Sequence, residues 1–182
     1  SESIMAIAVR KLRPDDDRST FESGDPDLDR FFKRFAVQNQ FKHYVGTTYV
    51  ADDGGLILGF ATVSAAQIEI RDLPAAKQGR LPRYPLPVLR LARLAVDSKA
   101  QGRGVGLTLL KAVFVLARAM ASDFGCIGVV VDAKPKAVAF YERYGFTALD
   151  VVQGQLGDRP EPTPMFLEIG AIPATSDEPP RQ

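Results

Sequence analysis

Residues 101–106 read QGRGVG, three glycines in six positions directly ahead of a strongly helical run. Glycine weakens a helix interior by about 1 kcal/mol relative to alanine, so the missing side chains must serve a contact. An alternating strand ends at Val96, and the glycines lead into a helix N-terminus. The first turn of a helix has N–H groups without helical partners, and its dipole favours negative charge. With no Cβ atoms in the way, a phosphate reaches those amides directly, and Arg103 adds a positive charge. The loop suits a pyrophosphate. A dinucleotide fingerprint starting at Gly102 requires glycine at 107, where Leu107 stands, and a P-loop requires a Gly-Lys pair, which the chain lacks. The spacing present is Gln101-x-x-Gly104-x-Gly106. About 40 residues further on, FYERYGF (140–146) closes a second helix with a phenol, Tyr141, that can donate a proton.

The elements that must hold these groups are legible from pattern. Residues 4–13 form a first strand. Asp25-Pro26 opens a helix, with aspartate as N-cap and proline at the first helical position. Leu28, Phe31, Phe32 and Phe35 follow at i, i+3, i+4 and i+7 on one face. TTYVA and LILGFATVSA flank DDGG, a hairpin signal. Four prolines and several bases mark 71–87 as a loop. VLRLARLAV (88–96) is a strand. The helix after the glycines runs to about Ala121 with Leu109, Val113, Leu116 and Met120 on one face. CIGVVVD (126–132) is a buried strand, Pro135 opens the next helix, and Gly145 ends it. A last strand pair takes in 146–152 and 163–169, and 171–182 is a frayed tail. The expected class is α/β, a mixed central sheet with helices on both faces, as one domain over 1–170.

At 182 residues, 46% hydrophobic and 25% charged, the chain has the material for one globular core. The most apolar run, LLKAVFVLARAMA, is interrupted by Lys111 and Arg118, which argues against a membrane span. No signal-peptide pattern is visible, and a single cysteine forms no internal disulfide, so a cytoplasmic location is expected. One cysteine and one histidine give no expectation of a metal. The net charge of +1 conceals segregation. Residues 15–29 carry seven acids against Arg18, 30–43 carry four bases and no acid, and 70–104 carry eight bases against two acids. Basic segments of this kind attract polyanions.

The glycine spacing resembles the acetyl-coenzyme A loop of the GNAT N-acetyltransferases, and FYERYGF resembles their aromatic-rich helix beside the cofactor thiol. Across roughly 12–169 the chain is similar to the GNAT toxins of bacterial toxin–antitoxin pairs. FFKRFAVQN, TYVADDGGLILGFATVSA, LPRYPLPVLRLARLAVDSKAQGRGVG and VVVDAKPKAVAFYERYGF carry that resemblance. It implies acetyl transfer from acetyl-coenzyme A to the α-amine of an aminoacyl-tRNA, which blocks translation. It also implies a homodimer and a neutralising ribbon–helix–helix antitoxin. On this reading Leu94, Ala95 and Val96 align the pantetheine. Gln101, Gly102, Arg103, Gly104, Val105, Gly106 and Leu107 hold the pyrophosphate. Tyr141 is the general acid, and Lys33, Arg83, Arg90 and Arg93 meet tRNA, with Arg80 and Lys42 as weaker candidates. His43 is expected at the surface, and Glu69 is a candidate base acting through water. Two other readings stay open at this point: acetylation of a small amine or protein N-terminus, and a weakly catalytic cofactor-binding partner of a DNA-binding antitoxin.

Overall fold

The first helix starts where Asp25-Pro26 predicts: the Asp25 carboxylate accepts the N–H groups of Asp27 and Leu28. The computed structural model describes residues 6–149 and 162–172. In chain order these form β1 (Ala8–Lys11), α1 (Pro26–Arg30), a π-helical turn (Phe31–Phe35), α2 (Ala36–Phe41), β2 (Thr47–Asp53) and β3 (Leu56–Ile68). There follow α3 (Ala75–Gln78), β4 (Leu86–Val96), α4 (Val105–Asp123), β5 (Gly128–Ala133), α5 (Val138–Arg143), β6 (Thr147–Ala148) and β7 (Thr163–Glu168). The seven strands lie in the order β1-β2-β3-β4-β5-β7-β6.

Two compact units share the chain: residues 1–66 with 89–116, and residues 67–88 with 117–182. In the first, β2 pairs antiparallel with β1 and with β3, and the Gly54-Gly55 turn takes the positive φ angles that favour glycine. Phe32 stacks on Phe60 at 4.3 Å, and Phe21 meets both rings edge-on. Leu12, Phe31, Ala36, Val50, Ile57 and Ala95 complete this core. Successive strand residues face opposite sides. Phe60 therefore turns to the α1–α2 segment, while Gly59 turns to α4, so this part of the sheet is covered on both faces. A Cβ at Gly59 would lie 2.8 Å from the Ala95 carbonyl oxygen, 3.0 Å from Val105 Cγ1 and 3.1 Å from Leu109 Cδ1.

The phenylalanine stripe differs from the expected register. The Ala36 N–H bonds back to the Phe31 carbonyl, five residues away, so the turn holds one residue more than an α-helix. Phe31 and Phe32 remain buried, but Phe35 rotates outward to 42% exposure and Ala36 takes the inward place. Arg18 Nη1 donates to the Phe32 carbonyl at 2.5 Å and to that of Lys33 at 3.2 Å, satisfying acceptors of the wide turn.

In the second unit β7 pairs antiparallel with β5 and β6. The proline-rich stretch is more ordered than expected: it contains α3, and β4 already begins at Leu86, so Pro87 lies in a strand near its start. The Pro87 carbonyl accepts the Ile127 N–H at 2.9 Å. The expected tail begins later than 171, because Ile172 is buried and its carbonyl takes a bond from Arg118 Nη2 at 2.6 Å. The remainder of that tail, and positions 150–152 of the expected strand, lie outside the described residues. By length and composition α4 is apolar enough to cross a membrane, with a mean hydropathy of 1.6 over its best window. Its stripe of Val105, Leu109, Leu110, Val113, Phe114 and Ala117 is buried protein core. Leu116, expected on that stripe, is half-buried.

Gly59→Ala is expected to lower unfolding free energy by about 1–3 kcal/mol, the cost of overpacking a tight contact. Chemical denaturation of both proteins checks this; an unchanged midpoint would mean that β4 and α4 shift freely.

Candidate active site

The turn between β4 and α4 is fastened by one buried carboxylate. Asp97 is 8% exposed. Its N–H donates to the Leu58 carbonyl at 2.8 Å, and its side chain accepts the N–H groups of Lys99 at 2.9 Å and Glu22 at 3.1 Å. Through Lys99 it caps the short 3-10 helix Ser98–Ala100. Ser98 N–H returns to the Glu22 carbonyl at 2.8 Å, and Gln101 Nε2 reaches the Ser23 carbonyl at 3.4 Å. Sequence reasoning missed this hub, although an aspartate before Ser-Lys-Ala carries the N-cap signature that would have found it.

Beyond Gln101 the backbone turns left-handed twice, at Gly102 (φ +82°) and Gly104 (φ +77°), and no heavy atom lies within 4 Å of where a Cβ would stand at either. This is an open cradle. The first α-helical bond of α4 runs from the Thr108 N–H to the Gly104 carbonyl at 3.0 Å, seconded by the Thr108 hydroxyl at 2.9 Å. The N–H groups of Val105, Gly106 and Leu107 precede that bond. They point outward at the positive end of a 19-residue helix. Val105 is buried and anchors the turn. Arg103 is exposed and meets Asp53 only at 3.9 Å, a loose surface pair worth little. Donors, open space and an exposed cation together fit a pyrophosphate such as that of acetyl-coenzyme A. On β4, Ala95 is buried in the phenylalanine core and its neighbours Leu94 and Val96 are half-buried.

Tyr141 lies in the second unit, the one fully buried residue of α5. Phe140 and Phe146 meet its ring edge-on at 5.2 and 5.3 Å. Its carbonyl accepts the Phe146 N–H at 3.1 Å as the helix ends at Gly145 (φ +97°). Among the described residues nothing hydrogen-bonds to the phenol, and burial pushes its pKa above the ordinary 10.0. The group is a protonated donor with a free hydrogen.

The two base candidates fare differently. His43 is exposed beyond α2. Glu69 is occupied, because its carboxylate and that of Asp72 cap each other's backbone at the 3-10 turn Ile70–Asp72. Among the predicted tRNA contacts, Lys33, Arg83 and Arg90 are exposed, Arg83 in the second unit and the others in the first. Arg93 is not a surface cation: it is half-buried with its guanidinium 3.7 Å above the Phe31 ring. Burial, then the Arg90 charge, lowers its pKa below the usual guanidinium value. Among the described residues no group of three or more His, Cys, Asp or Glu side chains is placed to hold a metal.

Residues 45–148 match the model of the acetyltransferase (GNAT) domain. A tRNA-acetylating toxin of Mycobacterium tuberculosis (strain ATCC 25618 / H37Rv) is 33% identical over 142 residues, 76% of this chain and 83% of that protein. Among solved structures, AtaT complexed with acetyl-methionyl-tRNAfMet superposes with a TM-score of 0.78 at 24% identity, over 91% of this chain and 96% of that one. A mutant of KacT superposes at 0.76 and 26% identity over the same shares.

Gly104→Asp puts a carboxylate where the pyrophosphate is to sit. Acetyl-coenzyme A binding is expected to vanish from isothermal titration calorimetry, while Gly104→Ala, at a left-handed position that costs alanine about 1 kcal/mol, should retain a weakened site. Equal affinities for wild type and Gly104→Asp would show that the cradle holds something else.

Proposed function

This chain belongs to the GNAT acetyltransferase family, and from that premise we propose that it acetylates the α-amine of aminoacyl-tRNA and so blocks translation. The observation that carries the reading is the 33% identity, over most of both chains, to a protein named for that reaction. Residues 1–170 act as one acetyltransferase domain, since the family match draws on both units. A ribbon–helix–helix antitoxin, a second copy of the chain and a cytoplasmic setting complete the proposal.

Acetyl-coenzyme A supplies the acetyl group as a thioester. Gln101 to Leu107 bind its pyrophosphate, and the backbone of Leu94, Ala95 and Val96 orients the pantetheine. One N–H of that strand, Ala95 or Val96, polarises the thioester carbonyl. An ordinary α-amine has a pKa of about 8, so roughly a tenth is neutral near pH 7, and the ester of an aminoacyl-tRNA withdraws electrons and raises that share. No strong protein base is needed, consistent with an exposed His43 and a Glu69 engaged in capping. The neutral nitrogen attacks the carbonyl carbon, the C–S bond breaks as the tetrahedral adduct collapses, and the amine proton leaves to water. The Tyr141 phenol donates its proton to the departing sulfur and is then reprotonated from solvent. Lys33, Arg83 and Arg90 meet tRNA phosphates.

The test is labelled acetyl-coenzyme A with a pool of charged tRNAs. The expected product is N-acetyl-aminoacyl-tRNA; label appearing only on free amines or protein N-termini would overturn the assignment. Tyr141→Phe should keep acetyl-coenzyme A affinity and lower turnover about 10²-fold; equal rates would remove the phenol from the mechanism. Because burial raises the phenol's pKa, its donor form persists as pH rises, so kcat should climb as the amine deprotonates, with no fall from phenol ionisation below pH about 10. Affinity for tRNA should drop steeply with salt. Lys33→Ala or Arg83→Ala should each flatten the log–log slope by about 1 in filter binding.

A further inference from the structure

A cavity of about 60 Å³ opens in the first unit beside β4, on the sheet face that carries α1 and α2. Asn39, Thr48, Thr62, Ser64 and Arg93 supply the polar part of its wall, and Phe31, Ala36 and other apolar residues supply the rest. We propose that it receives the side chain of the acceptor amino acid and admits only short, uncharged ones, those with a hydrogen-bonding group best. This deepens the aminoacyl-tRNA reading and rests on it.

Position comes first. Arg93 stands immediately before Leu94, Ala95 and Val96, the residues assigned to the pantetheine, and strand residues are spaced about 3.3 Å apart. A side chain seated here belongs to an amine within reach of the strand that aligns the thioester. Size comes next. A water needs about 10–15 Å³ of such space, so the cavity has room for a few heavy atoms and no aromatic ring.

Polarity sets the remaining preference. Thr48 and Thr62 are register partners on β2 and β3, and their hydroxyl oxygens lie 2.8 Å apart in a buried pair. One hydroxyl donates to the other, which leaves the second hydrogen and spare lone pairs unused. Among the described residues the Asn39 amide and the Ser64 hydroxyl have no hydrogen-bond partner, and both line the same space. A short polar side chain pairs with these groups, whereas an apolar one of equal size displaces their solvent without replacing its hydrogen bonds. Arg93 presents a fixed positive charge, so lysyl and arginyl side chains are repelled. The π turn explains how the wall is made: the additional residue lets Phe31 and Ala36, at its two ends, both face the cavity. Such turns are rare and concentrate at functional sites.

The experiment measures kcat/KM with labelled acetyl-coenzyme A on tRNAs charged with glycine, serine, threonine, phenylalanine and lysine. Wild type is expected to favour seryl- and threonyl-tRNA over phenylalanyl- and lysyl-tRNA by about tenfold or more. Ser64→Leu fills the cavity and should lower the seryl-to-glycyl ratio by about 10–100-fold, because glycine places no side chain there. Ser64→Thr, a smaller change, should move the same ratio less, and it serves if the leucine variant fails to fold by circular dichroism. An unaltered ratio in both variants overturns the proposal, as does wild-type acceptance of glycyl-tRNA alone or of phenylalanyl-tRNA at the seryl rate. Failure of the wild type to acetylate any charged tRNA strikes the function itself, a result separable from loss of selectivity.

Discussion

Asp97 ties three parts of the chain to one point: its N–H holds β3 at the Leu58 carbonyl, and its carboxylate accepts from Glu22 before α1 and from Lys99 in the short turn before α4. A hydrogen bond contributes about 1 kcal/mol net, and removing the acceptor would leave the Glu22 and Lys99 amides unpaired. The gain is positional. Once the turn is fixed, two glycines with positive φ need no further support to hold an open loop, and the helix dipole of α4 is aimed at whatever fills it. Gly59 does the same on the opposite side, since α4 can seat its first turn against β3 only where no side chain stands between them.

How much of this could be read from the chain depends on whether a signal is local. Asp25 as N-cap, the Gly54-Gly55 hairpin and Gly145 as helix terminator all act within four residues, and each has the predicted geometry. The glycine loop was legible because its chemistry lies in backbone freedom, which composition reports directly. Phe35 was misplaced because a stripe spaced at 3.6 residues carries no mark of a bond skipping to the fifth. The neighbouring carbonyls of Phe32 and Lys33 are taken up by Arg18, which lies outside the stripe altogether. Gly59 went unremarked for a related reason, since its partners are distant in sequence, and Asp97 shows locally only as the cap of a short turn while its bonds to Leu58 and Glu22 reach far along the chain. A one-dimensional reading sees residue types and spacing, not which carbonyl arrives from another strand.

Charge segregation, visible at the outset, acquires a physical division of labour. The acids of 15–29 are largely consumed by local structure. Asp16 is held below the usual carboxylate range by Arg10, Asp25 caps α1, Asp29 accepts from Ser23, and Asp27 pairs with Arg30. The bases are used less evenly. Lys33 and Arg83 stay at the surface, where diffuse attraction to a polyanion needs no geometry. Arg93 is drawn onto an aromatic ring beside a cavity, where a fixed guanidinium discriminates between ligands.

Acyl transfer to an amine that is already partly neutral asks little of a base and more of an acid, because the thiolate must be discharged as it leaves. Burial serves this directly. It disfavours the phenolate, so Tyr141 remains a donor wherever the amine is reactive. A carboxylic acid or histidine in the same surroundings would change protonation near neutrality. In the mechanism we propose, the substrate's own ester activates the nucleophile and one phenol protonates the leaving group, so the protein's remaining freedom to discriminate lies in how it seats the acceptor. On that proposal the cavity wall shaped by the π turn, rather than the chemical groups, sets which acceptor this protein takes.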